Sequence, residues 1–93
     1  MKITENRVED KIILSIEGRI DTNSSTQLQA KILQAFQKAK HLELDFEKTD
    51  YITSAGLRAL LIGQKTAASK GGSMKLLHVC PMILNTFIII GHT

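Results

Sequence analysis

The 93-residue chain has one cysteine, Cys80, and so no internal disulfide to staple it. Folds that depend on oxidised cysteine pairs are excluded, and a reducing, cytoplasmic setting is the natural expectation. Long apolar runs are also missing. The most apolar stretch, residues 82–90 with Phe87-Ile88-Ile89-Ile90 at its end, is far too short to cross a bilayer. Residues 1–8 lack the apolar segment of a secretory signal. No block of like charge stands out. The net charge is +3, but basic residues are spread from Lys2 to Lys75, with Glu43, Asp45, Glu47 and Asp50 among them. That is a solvated mixed surface, not the basic stripe of a nucleic-acid binder. No internal repeat, low-complexity tract or interdomain linker is visible.

What is present suits one small soluble domain over residues 1–93. Hydrophobic residues make up 43% and charged residues 23%, an ordinary globular balance that excludes disorder throughout. A chain this short buries a modest core. Residues 11–18, Lys-Ile-Ile-Leu-Ser-Ile-Glu-Gly, are β-rich and partly alternating, which predicts a strand. Residues 2–8 predict a weaker strand before it, with Glu9-Asp10 as the turn. Asp21-Thr22-Asn23-Ser24-Ser25 reads as a loop of capping residues. From residue 25 to 40, Leu28, Ile32, Ala35, Phe36 and Ala39 recur at helical spacing. Residues 41–46 alternate again and predict a strand, and residues 47–53 a loop. A second helix then starts at Ser54, with Leu57, Leu60, Leu61, Gln64 and Ala68 on one face, and Gly71-Gly72 ends it. Residues 74–79 predict a strand, and Pro81 opens a last helical turn, although the isoleucines of residues 82–90 favour strand equally. The order is β-β-α-β-α-β-α. A hairpin followed by strand–helix alternation implies a mixed α/β sheet with helices packed on it and right-handed crossovers.

The stretch from Asp45 to Arg58 carries the chemistry. A strand runs into a loop, and the loop delivers a hydroxyl to a helix start. Ser54 is expected at the N-cap, its oxygen accepting from the N–H of Gly56 or Leu57. A simple cap is the plain reading of such a serine. The other is a modification site, because a helix N-terminus accommodates a phosphate and the added charge can reject a partner.

The run Tyr51-Ile52-Thr53-Ser54-Ala55-Gly56-Leu57, with Asp45 upstream, resembles the signature of STAS-domain anti-sigma factor antagonists. Gly18-Arg19-Ile20-Asp21 resembles the turn before that family's first helix. Lys70-Gly71-Gly72 leading to Met74-Lys75-Leu76 resembles its passage from second helix to strand, and Pro81 falls where its third helix commonly starts. The resemblance covers roughly residues 5–91 and implies a STAS-like mixed sheet. It further implies a bacterial transcription regulator acting by protein–protein contact, with neither enzymatic activity nor cofactor of its own. Ser54 would be the phosphorylation site, with Thr53 the second candidate. The unphosphorylated form would bind a GHKL-type anti-sigma factor, releasing the sigma factor. That anti-sigma factor, a serine kinase, would phosphorylate Ser54 with ATP, and a PPM-type phosphatase would reset it.

Asp21, Thr22, Thr53, Ser54, Ala55 and Gly56 are the expected partner-binding residues, joined by Arg58 and Ile62 further along the helix. Asp21 is equally readable as a turn aspartate, and Arg58 as an exposed arginine with no special duty. Asp45 is expected at a strand end aimed toward the Ser54 loop, or else simply solvated on the polar strand face. Ala59 and Ile62 are expected off the buried stripe, as an apolar docking patch. Two departures from the family pattern bear on this. Thr53 stands where many members have aspartate. The chain also stops at Thr93, where the family continues with a strand and a helix. A C-terminally short sheet would leave a bare edge and an uncovered 87–90 segment, which fits a truncated chain, a homodimer or a segment swap alike. His41, His78 and His92 show no metal-ligand spacing, and Cys80 reads as a small core residue. The competing functions are a constitutive STAS subunit docking on a membrane transporter, such as the partner of a lipid-transporting ABC ATPase, and an enzyme or ligand sensor on the same fold.

Overall fold

The computed structural model describes residues 1–81 and Ile83. Two strands form the opening hairpin, β1 (Lys2–Val8) and β2 (Lys11–Ile20), paired antiparallel from Lys2↔Glu17 to Val8↔Lys11. The connecting turn is the expected Glu9-Asp10, with Glu9 in the left-handed region at φ 58°. Helix α1 (Thr22–Lys38) follows, then strand β3 (His41–Ile52), helix α2 (Ser54–Ser69) and strand β4 (Ser73–Leu77). The four strands lie in the order β1-β2-β3-β4, with β2–β3 and β3–β4 parallel. The mixed sheet and the sequential β-β-α-β-α-β order are those expected. Pro81 and Ile83 are helical. The rest of the last expected element, the 87–90 segment and its proposed dimer edge lie outside the described residues.

Both helices lay their apolar stripes on one face of the sheet. Ile12, Leu14 and Ile16 of β2 and Leu42, Leu44 and Phe46 of β3 point there, and Leu28, Ile32 and Phe36 of α1 meet them. Every member of the stripe expected on α1 is buried. α1 starts earlier than residue 25, because Asp21 caps it and draws the expected loop into the first turn.

α2 is rotated from its expected face. Its buried residues are Gly56, Leu57, Ala59, Leu60, Gly63 and Ala67, whereas Gln64 and Ala68 are exposed. Small side chains bring the helix close. A Cβ on Gly63 would stand 2.8 Å from Ile32 Cγ2 of α1. The helix ends in a Schellman motif, with the Gly72 N–H on the Ala67 carbonyl at 2.9 Å and the Gly71 N–H on that of Ala68 at 3.2 Å. Gly71 takes φ 68°, where a side chain would be strained.

The largest departure is in β3. The expected loop at residues 47–53 is instead the second half of the strand, which runs to Ile52. Its pairing with β2 slips twice, between the Ser15 and Glu17 partners and again between those of Gly18 and Arg19. Each slip is a β-bulge that places an extra residue on β3. The inward positions therefore pass from Phe46 to Thr49 to Ile52, which breaks the period of two that marks a strand. Buried Thr49 is accommodated because its hydroxyl donates to the Ile16 carbonyl at 2.7 Å.

Candidate functional site

Two neighbouring parallel strands deliver two helix starts side by side. Ile20 closes β2, Ile52 closes β3, and the two are register partners. The Thr53 N–H donates to the Ile20 carbonyl at 2.9 Å, tying one strand-to-helix turn to the other. Carboxyl ends of strands in open α/β sheets are a common place for binding sites.

The start of α1 is closed by its own side chains. Asp21 Oδ1 accepts from the Ser24 N–H at 2.8 Å, and Ser24 Oγ accepts from the Asp21 N–H at 2.8 Å, a reciprocal capping box. The Ser24 N–H, followed by its hydroxyl, holds the Asp21 carboxyl below the usual carboxylate range. Asp21 and Thr22 are both exposed.

The start of α2 is different. Thr53 takes the N-cap position, with extended backbone, and its hydroxyl accepts from the Gly56 N–H at 3.3 Å. This corrects the expectation that Ser54 is the cap. Ser54 is the first helical residue, and it is exposed. Among the described residues, its hydroxyl has no hydrogen-bond partner. The N–H groups of Ser54 and Ala55 have no acceptor one turn back in the helix. The first turn holds no acidic residue, so nothing there offsets the positive end of the helix dipole.

Gly56 is buried, not presented. A Cβ there would stand 2.6 Å from Ile52 Cγ1 and 2.8 Å from Ile20 Cγ2. Within the fold it is a spacer, which lets the helix start sit directly on the two strand ends. Ala55 beside it is half-buried. Arg58 and Ile62 follow Ser54 at successive intervals of four and share its exposed flank, with Ile62 37% exposed. Ala59, expected beside Ile62 in a docking patch, is only 1% exposed and belongs to the core. The Arg19 guanidinium lies 4.3 Å from the centre of the Tyr51 ring near the same strand ends. No sequence signal marked that pair, which exists only because the register makes the two residues neighbours.

Asp45 is not at a strand end and does not aim at Ser54. It sits mid-strand, separated from that site by the bulged half of β3. Its Oδ1 accepts from the Glu47 N–H at 3.0 Å and lies 2.9 Å from His78 Nδ1. The His78 hydrogen bond, then the Glu47 N–H, hold the Asp45 carboxyl below its ordinary range. The same hydrogen bond, reinforced by the negative charge of Asp45, raises His78. A cavity of about 260 Å³ opens nearby, with Thr4, Ser15, Glu17 and Lys48 in its wall, and it includes no residue of the Ser54 surface. Among the described residues, no helix is long and apolar enough to cross a membrane.

Comparison with known proteins agrees with this fold. A family model described as "Mlab, STAS domain" matches residues 3–93. The chain is 29% identical over 92 residues to a protein of Bordetella bronchiseptica named "Putative anti-sigma factor antagonist BtrV", covering 98% of this chain and 79% of that protein. It is 28% identical over 83 residues to the anti-sigma-B factor antagonist of Bacillus subtilis, covering 89% and 76%. The solved structure of the anti-sigma factor antagonist SpoIIAA in its unphosphorylated form superposes with a TM-score of 0.80 at 22% identity, over 95% of this chain and 83% of that one. The phosphorylated form of SpoIIAA from Bacillus also gives 0.80, at 21% identity, over 98% and 85%.

Proposed function

The chain belongs to the STAS domain family, and on that premise we propose that it is a cytoplasmic anti-sigma factor antagonist switched off by phosphorylation of Ser54. The observation that carries this reading is the division of labour at the start of α2. Thr53 performs the cap, so the fold makes no claim on the exposed Ser54 hydroxyl. Modification there leaves the helix start intact.

In the unmodified state, Asp21, Thr22, Thr53, Ser54 and Ala55, with Arg58 and Ile62 on the adjoining flank, form the surface that a GHKL-type anti-sigma factor engages. Binding occupies that factor and frees the sigma factor. The partner supplies the nucleotide site. Ser54 Oγ attacks the γ-phosphorus of ATP, its proton passes to the kinase, the bond to the β-phosphate oxygen breaks, and ADP leaves. The product carries nearly two extra negative charges. The unpaired N–H groups and dipole of α2 accommodate them without unfolding the domain. The partner surface, built to fit a neutral hydroxyl, then meets a charge it must desolvate without compensation. A PPM-type phosphatase returns the hydroxyl by hydrolysis. The protein is a substrate in this cycle and not an enzyme. Thr53 is the less suitable acceptor, because its Oγ1 is engaged with the Gly56 N–H.

Incubation with a GHKL anti-sigma factor and ATP, followed by intact-mass and peptide analysis, tests the proposal. One added phosphate at Ser54, absent from Ser54→Ala and retained in Thr53→Ala, is the expected result. No mass gain, together with copurification of an ABC ATPase, would replace it with the transporter-docking role.

A further inference from the structure

Away from the helix starts, a second set of chemically active groups converges on the sheet face opposite α1 and α2. We propose that Asp45, Glu47 and His78 form a binding site for a divalent transition-metal cation of the zinc class. One ligand atom from each residue lies within 4.8 Å of those of the other two.

Sequence spacing hides this cluster because two separate irregularities build it. The first bulge of β3 follows Asp45, and the Glu47 N–H folds back onto Asp45 Oδ1 at 3.0 Å. That contact fixes one carboxylate and sets the other beside it. β4 pairs with β3 as far as Leu77↔Asp45. The chain then turns at His78, which adopts φ 57°, and the imidazole comes over Asp45 with Nδ1 2.9 Å from Oδ1.

The donor set decides the class of ion. Two carboxylates alone would suit magnesium or calcium, whereas an imidazole beside them favours zinc, nickel or copper. Zinc binds imidazole nitrogen at about 2.0–2.1 Å and carboxylate oxygen at about 2.0–2.2 Å. Donors in a tetrahedral site with such bonds stand about 3.4 Å apart, so the 2.9 Å contact between Asp45 and His78 opens slightly as the ion enters and Glu47 completes the set. Glu47 and His78 are exposed, so both side chains have room to adjust. Three protein donors leave at least one position for water or a donor from another molecule. The surroundings suit a cation. The adjoining cavity of about 260 Å³ is walled by Asp45, Glu47 and Glu17 against the single Lys48, with the hydroxyls of Thr4 and Ser15 within its wall to hold water. The site shares no residue with the Ser54 surface, so it stands or falls independently of the phosphorylation switch.

The test is a titration of the full chain with zinc chloride, followed by calorimetry and by amide NMR, with a chelator to reverse it and magnesium chloride as a parallel titrant. Saturable one-to-one zinc binding is expected, with shifts centred on residues 45–48, 15–17 and 77–79. Magnesium at equal concentration should give no comparable response. His78→Asn, which keeps a residue tolerant of the left-handed backbone, and Glu47→Gln change exposed side chains that do not enter the core. Each should weaken binding by roughly tenfold or more, since losing even an outer partner of a metal site costs that much. His41→Ala should leave zinc binding unchanged. The proposal is overturned by absence of saturable binding, by equal binding in His78→Asn, or by shifts centred on His41 or His92.

Discussion

The two helix starts at the end of the sheet have the same architecture but are finished differently. α1 begins with a closed exchange in which Asp21 and Ser24 satisfy each other's backbone N–H groups. The cap also places a carboxylate against the positive end of the dipole. α2 begins with one weaker contact, the Thr53 hydroxyl at 3.3 Å from the Gly56 nitrogen. It leaves an exposed serine and an electropositive end with no acidic residue in its first turn. The first start is finished by its own residues. The second is left able to take a charge from outside. Both rest on the same pair of strand ends, so the difference lies in a few side chains and not in the fold.

The contrast can be broken most forcefully at Ser54. Ser54→Asp should weaken anti-sigma factor binding by roughly a hundredfold or more, because an uncompensated charge in an interface costs several kcal/mol. Calorimetric affinity equal to that of the unmodified protein would refute rejection by charge. Next in size is Gly56→Ala. The new methyl would meet Ile52 and Ile20 well inside contact distance, and overpacking of this kind costs about 1–3 kcal/mol. Urea denaturation would read that loss, and partner affinity should fall with it as the α2 start is pushed off the strands. Smaller again is the cap itself. Thr53→Ala should cost about 1 kcal/mol, while Ser54→Ala should stay within about 0.5 kcal/mol. Equal losses in the two variants would return the capping role to Ser54.

The smallest effect tests the closed start through pH. Asp21 is held below its ordinary value of 3.8 by the Ser24 N–H. A carboxyl depressed by folding stabilises the native state fully above its unfolded value, and that contribution disappears as pH falls through the folded one. Stability measured from neutral pH down through the region below 3.8 should therefore decline less steeply in Asp21→Asn. The α2 start has no carboxylate, so Thr53→Ala should leave the slope of that decline unchanged.

How legible each part was in the sequence follows from how it is built. The α1 stripe could be read because Leu28, Ile32, Ala35 and Phe36 are large or apolar at helical intervals, and all are buried. α2 misled because its buried side uses Gly56, Ala59, Gly63 and Ala67. Close packing of helix on sheet selects such residues for their small size, and a reading based on hydrophobicity undervalues them. β3 was cut short because two bulges change which parity faces the core, and buried Thr49 resembles a loop residue until its bond to Ile16 is seen. At the candidate site, the position of Ser54 at the opening of α2 was visible in the Ser-Ala-Gly-Leu run. The choice of Thr53 as cap was not, because adjacent hydroxyl residues are both good caps and only the backbone conformation separates them.

Local pattern by itself determined the element order, the amphipathic first helix, the glycines that close the second, and a serine at the head of that helix. Each of these depends on neighbours within about two turns of chain, and that range is what periodicity and capping preferences report. Only the tertiary structure decided which hydroxyl caps α2, that Gly56 is a spacer between two strand ends, and that Asp45 and Glu47 meet His78. Those outcomes depend on strand register and on bulges, which bring together residues more than thirty positions apart. They are set by the packing of whole elements and leave no mark in sequence spacing.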